Sequence, residues 1–587
     1  MYRLKLTFVA VLFAVTVRAD SAKLNGFDDF VATSLKDWSV PGVAIAVVQD
    51  GQVILSKGYG LRNVNKQLPV TSKTLFAIGS STKSFTVTTL GVLVDQGKLD
   101  WDRPVREYLP NFRMYDEFTT ERMTPRDLVT HRSGLPRHDF VWYNSPLSRR
   151  EIFEHLRYLE PSKDFRTTFQ YQNLMFMTAG YLAGQIADKP WEEFAREQIF
   201  EPLGMTQSNF SVTESQKSSD YSLPYRKEKE MVKEIPFRNI DQIGPAGSIN
   251  SNVEDMTKYL LMQMNLGKSG TRQVLSESNA TQMQTPQMVI PGAIRWNEVG
   301  HSTYGMGFFI TTYRGHKLVH HGGNIDGFSA LVAFLPQDKI GLVILTNMNG
   351  SVLPSVLSYN IYDRMLGLDE TPWTARLKED EKKQKESADE AKKKGFTAKK
   401  PNTHPSHDLA DYAGEFDNPG YGVAKITSEQ GALKIFFNGL HAPLQHFHYD
   451  IFEVPEGSVD FPNTKISFHT NLQGDVDSFS APLESTTHEI VFTRAPDRSV
   501  LQKSILQPLA GQYQLGPTIA TVAMRGDNAI TLALPGQPLY ELAPTGGLKF
   551  QVKGLTGYSV EFKKNDAGEV AELVFYQPNG TLAAKRK

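Results

Sequence analysis

The stretch Ala77-Ile-Gly-Ser-Ser-Thr-Lys-Ser-Phe85 decides how this chain is read. It holds the only Ser-x-x-Lys of the sequence, Ser80 and Lys83. It runs directly into residues 84–96, whose length, apolar spacing (Phe85, Leu90, Leu93, Val94) and following Gly97 predict a helix. Three residues apart on a helix, two side chains share a face, so an amine at 83 reaches a hydroxyl at 80. The start of a helix also offers backbone N–H groups to developing negative charge. Taken alone the motif is common, and the competing reading makes Ser80 a helix cap beside an exposed lysine.

Outward from this stretch, residues 43–48 and 52–57 are apolar, β-branched runs separated by Asp50-Gly51, a dipeptide suited to a tight hairpin. Helices are expected over 151–159 and 175–186, and strands over 305–313, 317–320, 329–335 and 341–346. Strands thus come from both ends of the first 350 residues, with helices between them. That order argues for one α+β domain over residues 20–370, whose sheet brings its terminal strands together.

Two further motifs follow in order: Tyr171-Gln172-Asn173, the only Tyr-x-Asn, and His321-Gly322-Gly323, continued by Asn324-Ile-Asp-Gly327. Serine is a weak nucleophile without a base in reach, and no Asp-His pair stands in a recognisable triad motif. Lysine and tyrosine ordinarily titrate near 10, so either needs a shift of about three units, or about 4 kcal/mol of environmental bias, to work at neutral pH. A positive Lys83 favours tyrosinate at Tyr171, whereas desolvation favours a neutral Lys83. The residues leave open which of the two holds the proton.

With these motifs in this order, the chain resembles the class C β-lactamases and their relatives, the D-alanyl-D-alanine carboxypeptidases, D-stereospecific aminopeptidases and family VIII esterases. Connecting phrases look like that family too: Gln96-Gly-Lys-Leu99, Thr124-Pro-Arg-Asp-Leu-Val-Thr-His-Arg-Ser-Gly-Leu-Pro136, Pro245-Ala-Gly-Ser248 and Tyr304-Gly-Met-Gly307. The resemblance implies a β-lactamase/transpeptidase-like fold, an antiparallel sheet with helices. It implies Ser80 as nucleophile, Lys83 as the partner that takes or relays its proton, and Tyr171 as the second acid/base. Asn173 would orient the substrate amide or Lys83, and the N–H groups of Ser80 and Asn324 would form an oxyanion hole. His321 and Gly323, from the third motif, would line the substrate site. No cofactor is implied. The expected activity is hydrolysis of small esters or D-amino-acid peptides, with a class C-like β-lactamase and a non-catalytic penicillin-binding or cell-wall-binding protein as alternatives. Class C β-lactamases carry lysine where this chain has His321, and an imidazole is mostly neutral at physiological pH. Hydrolysis of anionic β-lactams is therefore expected to be weak or absent.

The tail has its own signature. Thirteen of the 17 residues from 378 to 394 are charged, with acids and bases at i,i+4 spacing such as Glu379/Lys383, so residues 371–405 read as a solvated helical linker. Beyond it, Leu409-Ala-Asp-Tyr-Ala-Gly-Glu-Phe416 returns as Leu506-Gln-Pro-Leu-Ala-Gly-Gln-Tyr513, 97 residues later, and Ala432–Ile435 and Gly439 return at the same offset as Ala529–Leu532 and Gly536. Two copies of one small antiparallel β-domain, barrel-like, are expected over 406–497 and 498–587. Their expected roles are shaping access to Ser80 or holding oligomers.

Composition excludes several classes. With 63 basic against 64 acidic residues among 587, no overall field recruits nucleic acid or an anionic membrane. The absence of cysteine removes disulfides, thiolate catalysis and cysteine zinc sites. A metal site at His320-His321 or His446-Phe-His448 is not expected, because neighbouring residues of a strand point to opposite faces and no His-Glu-x-x-His occurs. Arg3, Lys5, the apolar run 6–17 and Val17-Arg18-Ala19 read as a secretion leader over 1–19, giving an exported, periplasmic or secreted protein with no other membrane segment. A small molecule or peptide is the expected substrate.

Overall fold

Asp50 and Gly51 take positive φ, 49° and 78°, and join β1 (Gly42–Gln49) to β2 (Gln52–Asn63) as the antiparallel hairpin their sequence predicts. This computed structural model describes residues 22–228, 231–395, 399–458, 460–495 and 498–587. The leader expected over 1–19 lies outside the described residues. The chain divides into two compact units, one ending at Phe396 and one beginning at Thr397.

The first unit is built on a nine-stranded antiparallel sheet. Its central order is β3 (Phe309–Tyr313), β4 (His316–Ile325), β5 (Phe328–Leu335), β6 (Ile340–Thr346), β1 and β2. β1 and β6, from opposite ends of the domain, pair from Val43↔Thr346 to Gln49↔Ile340. Every residue of β1, β5 and β6 is buried, which requires helices on both faces. On one face α1 (Phe27–Asp37) supplies Phe27 and Val31, and α5 (Leu353–Leu366) supplies Leu357 and Ile361, against Ile45, Ile344 and Ala333. On the other, Leu260 and Met264 at the end of α4 (Val253–Met264) lie so close to Gly341 that a Cβ there would meet them. Two further helices carry residues of the first two motifs, α2 (Thr82–Asp95) and α3 (Asn173–Ala187).

One sequence expectation is corrected here and one refined. The strand expected over 305–313 starts only at Phe309, because Gly307 turns with φ 78° against the backbone of Ser84 at the start of α2. The charged stretch forms the expected solvated helix, α6 (Trp373–Gly395), but its first turns are anchored on the first unit. Trp373 is buried in the core and donates Nε1–H to Tyr313 Oη at 3.1 Å. Arg376 pairs with Glu298, Lys378 with Asp37 and Asp380 with Arg295. The i,i+4 pair Lys383–Glu379 forms at 3.4 Å on the helix surface.

The second unit holds two closed eight-stranded antiparallel barrels, with first strands Gly414–Asn418 and Gly511–Leu515 and last strands Ile490–Arg494 and Gly580–Arg586. The repeat detected in sequence maps element on element. Ala432–Phe437 and Ile530–Ala533 are both third strands, and Gly439 and Gly536 both turn with positive φ before the fourth.

Candidate active site

Ser80 lies in the 3-10 turn Gly79–Ser81 that leads into α2. Its side chain caps nothing, so the helix-cap reading falls away. Gly79 takes φ 51°, with the backbone nitrogen of Asn324 2.8 Å from where its Cβ would stand, and a Cβ on Gly323 would fall 1.8 Å from the Ile78 carbonyl. Only glycine at both places lets β4 approach the turn so closely. Ser81 fastens the contact by donating Oγ–H to the His321 carbonyl at 3.1 Å. The Gly322-Gly323-Asn324 backbone is thereby brought alongside Ser80.

Lys83 is fully buried. Its Nζ lies 3.0 Å from Ser80 Oγ, 2.8 Å from Asn173 Oδ1 and 2.7 Å from the Ala246 carbonyl. Burial, and next the charge of Arg137, hold its pKa well below the ordinary lysine value, with Asp139 opposing. Tyr171, part-exposed, hydrogen-bonds Ser80, and burial pushes its pKa above the usual tyrosine value. Lys83 Nζ lies 4.9 Å from its ring centroid. Burial thus acts in the same sense on both groups, favouring the amine form at 83 and the phenol form at 171. A neutral amine has two N–H bonds and one lone pair. In that form Asn173 Oδ1 and the Ala246 carbonyl, both pure acceptors, would take the two N–H bonds and leave the lone pair for the Ser80 hydroxyl.

Asn173 begins α3, whose N-cap is Gln172, the middle residue of the motif, accepting from Leu174 N at 2.7 Å. His321 is buried. Only 2% exposed, it donates Nδ1–H to the Gly322 carbonyl at 2.6 Å, so Nε2 accepts from Tyr304 Oη at 3.1 Å. Burial draws its pKa down to about 3. Both ring nitrogens are thus engaged within the protein, and the backbone that follows faces Ser80.

Several residues of the site were not singled out from the sequence. His131, fully buried with φ 57°, accepts Gln172 N–H at Nδ1 (3.0 Å) and Gln170 N–H at its carbonyl (2.8 Å), so it brackets Tyr171, with ring centroids 4.3 Å apart. Arg137, Asp139, Tyr304 and Ala246 also belong here. His131, Ala246 and Tyr304 lie inside phrases the sequence reading quoted, but nothing in their spacing marks them as contacts of Lys83 or Tyr171.

The sequence profile of the beta-lactamase family matches residues 27–362, and that of a domain of unknown function, DUF3471, matches residues 398–494, the first barrel. The unguisins hydrolase ungD' of Aspergillus campestris is 31% identical over 420 residues, covering 67% of this chain and 76% of that one. The unguisins hydrolase ungD of Aspergillus violaceofuscus is 28% identical, covering 71% and 79%. Among solved structures, the octameric penicillin-binding protein homologue from Pyrococcus abyssi shares the fold with a TM-score of 0.53 at 23% identity, over 80% of this chain and all of that one. The resemblance carried by the three motifs thus holds, and the chain belongs to the beta-lactamase family, a fold family of hydrolases.

Proposed function

We propose that this protein is a serine hydrolase that forms an acyl-enzyme on Ser80 and cleaves small esters or amides, D-amino-acid peptides among them. One observation carries the reading: a buried amine whose two other contacts are pure acceptors stands 3.0 Å from a part-exposed serine hydroxyl. Lys83 takes the Ser80 proton as Oγ bonds to the acyl carbon, and the carbonyl electrons move to oxygen beside the N–H groups of Ser80 and Asn324. Collapse breaks the bond to the leaving group, which takes a proton from Tyr171 O–H, and the Lys83 ammonium returns that proton to the tyrosinate. Water then repeats the sequence on the acyl-enzyme. Losing one oxyanion donor in such a site typically costs about 3 to 4 kcal/mol of transition-state stabilisation.

The relatives' printed activity, hydrolysis of unguisins, supports a hydrolytic role. The neutral His321 supports weak action on β-lactams, since an anionic substrate gains no cation there. The leader expected over 1–19 supports export, and the octameric state of the Pyrococcus abyssi homologue supports oligomerisation. Among the described residues, no helix is long and apolar enough to cross a membrane.

Intact-mass measurement after a fluorophosphonate and after a fluorescent penicillin tests the reading, together with turnover of a p-nitrophenyl ester and a chromogenic cephalosporin. We expect one fluorophosphonate adduct, absent in Ser80→Ala, with ester turnover far above cephalosporin turnover. An adduct that persists in Ser80→Ala and maps to Ser81 or Ser84 would refute the nucleophile. No adduct at all would point to a binding protein, and rapid penicillin turnover to a β-lactamase.

A further inference from the structure

Just beyond the phrase ending at Pro136, the structure sets a pair of opposite charges against the catalytic lysine's own holder. Asp139 Oδ1 accepts Trp142 Nε1–H at 2.8 Å and Asn173 Nδ2–H at 3.3 Å, and its Oδ2 accepts Arg137 Nε–H at 2.5 Å. The other end of the same amide, Asn173 Oδ1, takes the N–H of Lys83 at 2.8 Å. An amide carries its acceptor and its donors at opposite corners. A carboxylate on the donor side therefore obliges the oxygen to face the lysine, and Trp142 keeps that carboxylate in place.

We propose that Asp139 is a positioning residue that aims Lys83 at Ser80 through the Asn173 amide, and that Arg137 is the counter-ion that balances it. The inference rests on the acyl-enzyme reading above and goes beyond it, since neither residue belongs to the three motifs.

The second half of the argument is a census of what faces Lys83. Its own turn offers the Ser80 hydroxyl; α3 offers Asn173 and the Phe176 ring, 5.3 Å away. The Ala246 carbonyl, the Tyr171 ring and, from β4, His321 complete the near side. The segment around Pro136 contributes His131, Arg137 and Asp139. Burial keeps His131 and His321 uncharged and Tyr171 a phenol. Arg137 and Asp139 are the formal charges that remain in this set, and they act on Lys83 in opposite directions, Arg137 the more strongly. A bare carboxylate behind Asn173 would orient the amide and also draw a proton onto Lys83, which would remove the base. Arg137, 51% exposed at its side chain and 5.5 Å from the Tyr171 ring centroid, offsets that pull and leaves the orientation intact.

The pH dependence of kcat/KM on a p-nitrophenyl ester, in the full-length protein, separates the two contributions. The acidic limb reports protonation of Lys83, so Arg137→Gln should move it to higher pH. Asp139→Asn should move it to lower pH, by less. Asp139→Asn keeps an acceptor for Asn173 and should retain most of kcat, whereas Asp139→Ala frees the amide and should lower kcat about 100-fold with little change in KM. Thermal melts run alongside identify any variant that fails to fold. Limbs that stay at the wild-type position in both Arg137→Gln and Asp139→Asn, or wild-type kcat in a folded Asp139→Ala, would overturn the proposal. Residual turnover in Ser80→Ala would instead overturn the acyl-enzyme reading, so the two fail separately.

Discussion

Lys83 takes its hydrogen-bond partners from residues 3, 90 and 163 positions away along the chain. In either barrel, by contrast, every strand pairs with its sequence neighbour, and only the closing pair joins distant segments, Phe416↔Arg494 in the first and Tyr513↔Arg586 in the second. Both barrels secure that seam with the same device. Arg494 donates to the carbonyls of Asp411, Ala413 and Val476 and lies 4.7 Å over the Phe416 ring. Arg586 donates to the carbonyls of Pro508, Ala510 and Val570 and lies 6.0 Å over Tyr513. Asp411 and Pro508, and Ala413 and Ala510, are 97 positions apart, the period of the repeat. The glycine that follows is explained as well, since a Cβ on Gly414 would stand 2.4 Å from the Arg494 guanidinium. Each barrel thus closes on one arginine, part-buried at 494 and exposed at 586, while the chemistry proposed for the first unit draws on several buried polar groups. A polar group of the first kind should matter for stability alone, and one of the second kind for rate.

Lys83→Met is the sharpest way to break that contrast. It removes the base but keeps the volume, so kcat/KM should fall by roughly 10³-fold. Two acceptors lose their donor while a desolvated polar group is removed, so folding free energy should change by no more than about 3 kcal/mol. Ester assays and denaturant titration check both numbers. A variant that unfolds would mean that Lys83 is structural.

Arg494→Ala should do the reverse. It strands three carbonyls at the seam and should destabilise the first barrel by about 3 kcal/mol while leaving ester turnover untouched. Arg494→Lys should recover little, because an ammonium cannot match the planar fork. Denaturant unfolding of the fragment 397–587 would reveal the loss, and an unchanged midpoint would contradict the device.

The smallest effect is expected from separating the units. Each barrel carries its own apolar interior, and α6 belongs to the first unit. Residues 397–587 should therefore fold alone, as seen by circular dichroism, and a chain ending near 396 should keep kcat for a small ester within about threefold. A larger loss would tie the barrels to the site.

Much of this architecture was legible because its causes are local. Alternating apolar residues around Asp50-Gly51 specify a hairpin, a repeat at constant offset specifies two like domains, and Ser-x-x-Lys at a helix start specifies a shared face. The identities of Ser80, Lys83, Tyr171 and Asn173 as one cluster could be read from motif order. What the residues by themselves left undetermined was the proton: whether Lys83 or Tyr171 carries the charge depends on every group packed around them, and those groups come from positions 131 to 321. His321 shows the same limit, since its motif marks the residue but only the fold pairs its ring with Tyr304. Likewise the charge run of α6 hides Trp373, which only the core of the first unit turns into an anchor. Spacing along a chain determines which side chains share a face. Desolvation and hydrogen-bond direction are properties of the whole surrounding volume, and they come into being only when the distant segments have met.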